Sequence, residues 1–183
     1  MTTILKTFLL LACFALSLPS SAVDIDKLTY TLNEKDLTAT VTGLVGGASE
    51  ARGDLIIPES VEYDGNKYIV TSIGESSFRN CIGFTGKLII PNSVTIIGGA
   101  AFRACNGFTG KLTIPESVTE IGNAAFEGCT GFTGDLTIPN SVTIIGREAF
   151  RNCIGFTRSL TIPTSVTTIG ESAFESCSGF TGS

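Results

Sequence analysis

Apolar and polar positions recur along most of this chain with a fixed step of 24 residues. One unit runs from Leu112 to Asp135, and further copies start at Leu88, Leu136 and Leu160. Within the unit, Leu112 and Ile114 flank Thr113. That alternation predicts a short strand with the apolar pair inward and the threonine outward. Pro115 ends the strand, because it has no N–H to give to a ladder. Val118 and Ile121 return to the interior, and Gly122 supplies the sharp turn that follows. Ala125, Phe126 and Cys129 then fall at i, i+1 and i+4, a spacing that predicts one helical or 3-10 turn with its apolar side inward. Phe132 closes the unit before a Thr-Gly corner. A single unit cannot bury these side chains, so the units are expected to stack into a repeat solenoid with one continuous core.

The same step carries Phe78, Phe102, Phe126, Phe150 and Phe174, and also Cys81, Cys105, Cys129, Cys153 and Cys177. An earlier copy starts at Leu55, which makes five, but there Pro58 and Pro91 lie 33 residues apart instead of 24. The surplus falls at residues 62–70, where Asp64-Gly65 between Tyr63 and Tyr68 predicts a β-hairpin insertion. Upstream, Leu28 to Leu32 and Leu37 to Val41 alternate at period two, which predicts two strands joined through Asn33 to Asp36. We read this hairpin as an N-terminal cap, since a solenoid must cover its first open edge. The expected division is a leader over 1–22, a cap over 23–54 and the solenoid over 55–183.

The constellation Ile-Pro-x-x-Val-Thr-x-Ile-Gly-x-x-Ala-Phe-x-x-Cys resembles the BspA-like class of leucine-rich repeats of bacterial surface proteins. The resemblance covers residues 55–183, with Ser77 in place of the alanine before Phe78 and Arg158-Ser159 in place of the usual Gly plus Lys or Asp. It implies a right-handed, β-rich leucine-rich-repeat coil, extracellular display, and a role in adhesion or host-protein binding. It fixes no ligand.

The first residues read as a targeting segment. Lys6 precedes an apolar run from Phe8 to Leu18, and Ser20 and Ala22 place small residues before a cleavage point. This describes a secretory signal peptide cut after Ala22, and the run is too short to span a bilayer. Leu10-Leu11-Ala12-Cys13 also resembles a lipobox. Processing there would leave a strongly apolar start, so simple cleavage is favoured. The expected location is secreted or cell-surface.

Composition narrows the function. The chain carries a net charge of −5 and no His or Trp. An acidic surface repels phosphate backbones, so nucleic acid is not an expected partner. The missing His removes the commonest general base and imidazole metal ligand. With no phosphate loop, nucleophile triad or carboxylate pair in the sequence, no enzyme activity and no cofactor are expected.

Several residues remain as candidates. The five cysteines occur one per unit, without the close pairs of a zinc site, and read as a stacked row of small buried side chains beside the phenylalanines. Arg52-Gly53-Asp54 is an integrin-type tripeptide, yet Gly53 and Asp54 align with Gly134 and Asp135 and so read as a repeat corner. Thr113, Thr137 and Thr161, with Ile56 and Ile89 ahead of them, should form an outward row. A threonine row can also order water, but one threonine per strand is thin support for ice binding. Arg79, Arg103 and Arg151 share a register with Glu127 and Glu175, which suggests surface ion pairs. The favoured partner is an extracellular or cell-surface protein. A structural spacer, or a fragment of a larger repeat protein, is the alternative. The pattern breaks off mid-unit at Ser183, from which self-association through an uncapped C-terminal edge is expected.

Overall fold

The computed structural model describes residues 22–181. The expected leader and the final Gly182 and Ser183 thus lie outside the described residues, apart from Ala22. The chain opens with β1 (Ala22–Ile25), β2 (Leu28–Asn33) and β3 (Thr38–Leu44), an antiparallel meander. The alternation in β2 buries Leu28 and Tyr30 and leaves Thr29 and Thr31 half-buried. Its turn is set by Asn33, whose side-chain oxygen accepts the amides of Lys35 and Asp36 at 3.1 and 3.2 Å. β1 was not foreseen, because four alternating residues beside a leader give too short a signal.

β4 (Gly53–Ile56) follows, then β5 (Ser60–Tyr63) and β6 (Asn66–Ile73), which pair antiparallel. Asp64 and Gly65 join them with φ of 46° and 75°, the doubly left-handed turn that suits a two-residue hairpin. β3 lies parallel to β6, with Val41 opposite Ile73. From there two-residue strands continue the ladder: β8 (Ile96–Ile97), β9 (Glu120–Ile121), β10 (Ile144–Ile145) and β11 (Thr168–Ile169). Each residue pairs with the one 24 positions on, as Ile97 does with Ile121. The period of the sequence is therefore the period of the ladder, in a strand-rich, almost helix-free repeat fold.

The expected Leu-Thr-Ile strand forms a full ladder only between β4 and β7 (Phe84–Ile89), where Leu55 faces Leu88. Later copies keep the alternation, with Leu112 and Ile114 buried and Thr113 exposed, but retain isolated bridges such as Thr137 to Thr161. The corner residues Gly110, Gly134 and Arg158 of these copies sit at φ of 77°, 81° and 66°, as Gly53 does at 60° at the head of β4, whereas Gly86 runs straight within β7.

A second correction concerns the expected helical or 3-10 turn at Ala125, Phe126 and Cys129. The segment is a succession of β-turns. Ala125, Glu127 and Cys129 donate to carbonyls three residues back at 3.3, 3.1 and 3.1 Å. Ala124, Phe126 and Gly128 instead donate to Arg147, Ala149 and Arg151 of the next unit at 2.7–2.8 Å. Ala124 and Gly128 take left-handed φ of 53° and 73°, so the amides point alternately within the unit and along the stack. Apolar spacing of i, i+1, i+4 fits either geometry, and the backbone settles it.

The core is two columns of rings. Phe78, Phe102, Phe126, Phe150 and Phe174 stack at 5.3–5.4 Å with planes within 15°. Phe84, Phe108, Phe132, Phe156 and Phe180 form the second column at 4.9–6.3 Å. Within a unit the columns meet edge to face, as Phe126 meets Phe132 at 6.5 Å. Offset and edge contacts are the favoured aromatic arrangements.

Candidate binding surface

The outward row lies where the alternation puts it. Ile56 and Ile89 face one another across β4 and β7, 60% and 45% exposed. Thr113, Thr137 and Thr161 continue the row and are exposed. Beside the last two, Asp135 and Arg158 form an ion pair at 3.5 Å around a shallow depression of about 410 Å³. The row thus passes from branched apolar side chains to hydroxyls flanked by charge.

The tripeptide is woven into the stack. Gly53 and Asp54 belong to β4, and the Asp54 carboxylate accepts the backbone amide of Lys87 at 2.6 Å. A side chain at Gly86 would run into that carboxylate, so the glycine there makes room for the contact. The Arg52 guanidinium folds back to the carbonyl of Ser49 at 2.6 Å. Arg52 thus bonds within its own unit and Asp54 to the next one, although all three residues are exposed.

Cys81, Cys105, Cys129, Cys153 and Cys177 are buried and free. They do more than fill space. Cys105 donates its S–H to the Phe78 carbonyl at 2.8 Å, and Cys129, Cys153 and Cys177 repeat this to Phe102, Phe126 and Phe150 at 2.9–3.0 Å. Burial pushes the Cys129 thiol up to about 12 and raises those of Cys153 and Cys177. At Cys105 a hydrogen bond with Cys81 acts first and burial adds to it. The thiols of Cys105, Cys129, Cys153 and Cys177 stay protonated, as weak donors suited to a carbonyl and unsuited to nucleophilic work. The hydrogen bond with Cys105 instead lowers the Cys81 thiol.

A row that the sequence reading passed over lies next to the long ladder. Thr95, Thr119, Thr143 and Thr167 each donate a hydroxyl to the carbonyl of the threonine 24 residues earlier, at 3.1–3.2 Å. A threonine after the valine of every unit was the signal for it. On the turn side, Arg103 pairs with Glu127 at 2.7 Å and Arg151 with Glu175 at 3.2 Å.

At the start of the stack a cleft of about 590 Å³ opens between the β1–β3 meander and β4. Leu28, Leu44, Leu55 and Phe84 supply its apolar lining, and Arg52, Asp54 and Ile56 stand on its β4 side. Among the described residues no group of His, Cys, Asp or Glu is arranged to hold a metal ion, and no helix is long and apolar enough to cross a membrane.

The family model for the BspA type Leucine rich repeat region matches residues 59–181 in six copies. This chain belongs to that family. The match counts one copy more than the five read from the spacing, and it opens inside the first of them. A leucine-rich repeat protein from Bacteroides ovatus shares the fold with a TM-score of 0.75 and 35% identity, over 87% of this chain and 40% of that one. A T. pallidum leucine-rich repeat protein follows at 0.71 and 25% identity, over 87% of this chain and 69% of that one. A leucine-rich cell surface protein from Faecalibacterium prausnitzii matches at 0.52 and 25% identity, over 91% of this chain and 55% of that one. The chain thus spans well under two thirds of the Bacteroides protein. No curated protein matches it. None of these matches names a ligand or points to catalysis.

Proposed function

We propose that this protein is an extracellular binding module, a right-handed solenoid capped by the β1–β3 meander, which holds a host or neighbouring-cell protein on its outward row. The observation that carries the reading is the row itself. Ile56, Ile89, Thr113, Thr137 and Thr161 present apolar and hydroxyl groups in one register on a rigid backbone, and large exposed apolar side chains in a row are a common mark of an interface. Secretion through the segment at 1–22 and display at the cell surface belong to the same proposal. The test is adhesion of the purified protein to immobilised extracellular-matrix proteins and intact cells, compared with Thr137→Arg/Thr161→Arg. Loss of adhesion with an unchanged melting temperature supports the row; adhesion equal to that of the parent removes it. Binding that survives Asp54→Glu retires an integrin role for Arg52, Gly53 and Asp54.

The second reading is a spacer, or one portion of a longer repeat surface protein. It is favoured by the Bacteroides relative, of which this chain spans 40%. Failure to adhere to any surface supports it. Self-association through the last unit goes with it, read as a sedimentation coefficient that rises with concentration.

A further inference from the structure

We propose that the free edge of β4 takes an added strand from an extended peptide bearing apolar and basic side chains. Among the described residues β4 has one strand partner, β7. The Ile57 amide donates to the Ile89 carbonyl at 3.0 Å. Alternation in a parallel ladder then turns the N–H and C=O of Ile56 away from β7, toward the open side. The meander does not close that side, because it joins the other sheet through β3 and β6. It leaves the cleft instead. A strand added about 4.8 Å from β4 would lie in that cleft. Its inner side chains would rest on Leu28, Leu44, Leu55 and Phe84, and its backbone would meet that of Ile56. Peptide capture by strand addition has this form: main-chain bonds give affinity, and a pocket for alternate side chains gives selectivity.

Charge selects the peptide. Asp26, Glu50 and Asp54 line the cleft against Lys27 and Arg52. Arg52 is turned onto the Ser49 carbonyl and Asp54 onto the Lys87 amide, which leaves Asp26 and Glu50 against Lys27. The net charge of −5 over the whole chain acts in the same direction. Lysine or arginine at the outer positions of the added strand is therefore favoured over acidic residues.

This assignment rests on the reading of the protein as a binding module, and it places a contact at the first unit, beside the row. The test is titration of the purified protein with a blocked pentapeptide of alternating lysine and valine, KVKVK, followed by calorimetry and amide chemical shifts. The expected result is saturable binding that shifts the amides of Leu28, Leu44 and Ile56. The glutamate counterpart EVEVE should bind at least about tenfold more weakly, and KVKVK methylated on its backbone nitrogens should not bind. Ile56→Pro removes an amide that gives nothing to β7, so it should keep the melting temperature and weaken KVKVK by about fivefold, the worth of one hydrogen bond. Absence of saturation, equal affinity for EVEVE, or binding of the methylated peptide overturns the proposal. If Ile56→Pro does not fold, the methylated peptide decides alone. A dimer that Ile56→Pro disperses, with no response to KVKVK, overturns it in favour of a second copy on the edge. Adhesion to matrix proteins that persists while KVKVK fails overturns the edge assignment and leaves the binding module standing.

Discussion

Phe126→Ala probes the ring column at its middle. Phe126 is fully buried, 5.3 Å from both Phe102 and Phe150, and edge-on to Phe132. Truncating a buried phenylalanine costs about 3–5 kcal/mol. The lost ring contacts, worth about 0.5–1.5 kcal/mol each, put this site in the upper part of that range, at about 4–5 kcal/mol. Phe174 is only partly buried and stacks on Phe150 alone among the described residues. Phe174→Ala should therefore lose about half as much, roughly 2 kcal/mol. Whole domains are stable by about 5–15 kcal/mol, so the first change removes a large part of the total. Urea unfolding followed by circular dichroism measures both. Each unit touches only its neighbours, so a gap in the middle should also let the two halves unfold separately and lower the apparent m-value. Equal losses at the two sites, or a loss below about 2 kcal/mol at Phe126, would refute the idea that the stacked rings couple the units.

Two other expectations follow from the backbone and the thiols. Cys129 should resist a thiol reagent in the native protein and react on unfolding. Its folded value of about 12 stands above the ordinary 9.0, so the stability it contributes is complete below pH 9 and drains away as pH rises toward 12; urea midpoints that stay level from pH 8 to 11 would contradict this. Gly131→Ala should be severely destabilising, because its Cβ would collide with the Phe108 carbonyl, whereas Gly128→Ala meets nothing nearer than 3.7 Å and is left with the strain of φ 73°, about 1 kcal/mol. A thermal-shift comparison in which Gly128→Ala proves the worse of the two would sink that account.

The spacing of Phe126, Cys129 and their counterparts carried most of the fold, because a residue that recurs every 24 positions must meet its own copy in the next unit. What the spacing could not carry was the direction of backbone amides. Ala125, Phe126 and Cys129 fit a helical turn and a run of β-turns equally well, and the left-handed φ of Ala124 and Gly128 distinguishes them. The two-residue strands, such as Glu120–Ile121, are shorter than any alternation can declare. The outward row could be drawn from Thr113 and its neighbours, since side-chain alternation is local. The cleft could not, because Leu28 and Leu44 pair across β2 and β3 while Leu55 and Phe84 belong to the separate β4–β7 pair, and no local pattern brings the two pairs together.

The alternating amides of the turn segment also govern how such a gene can change length. Ala124, Phe126 and Gly128 reach the next unit while Ala125, Glu127 and Cys129 stay at home, so the segment has an even and an odd set. Duplication or loss of a whole 24-residue block preserves that parity and leaves every donor with an equivalent acceptor. An insertion or deletion of one codon inside the segment exchanges the two sets beyond it, and strands buried amides without partners. Whole-unit gain and loss is thus nearly neutral for the backbone, and single-residue slippage in the turns is not.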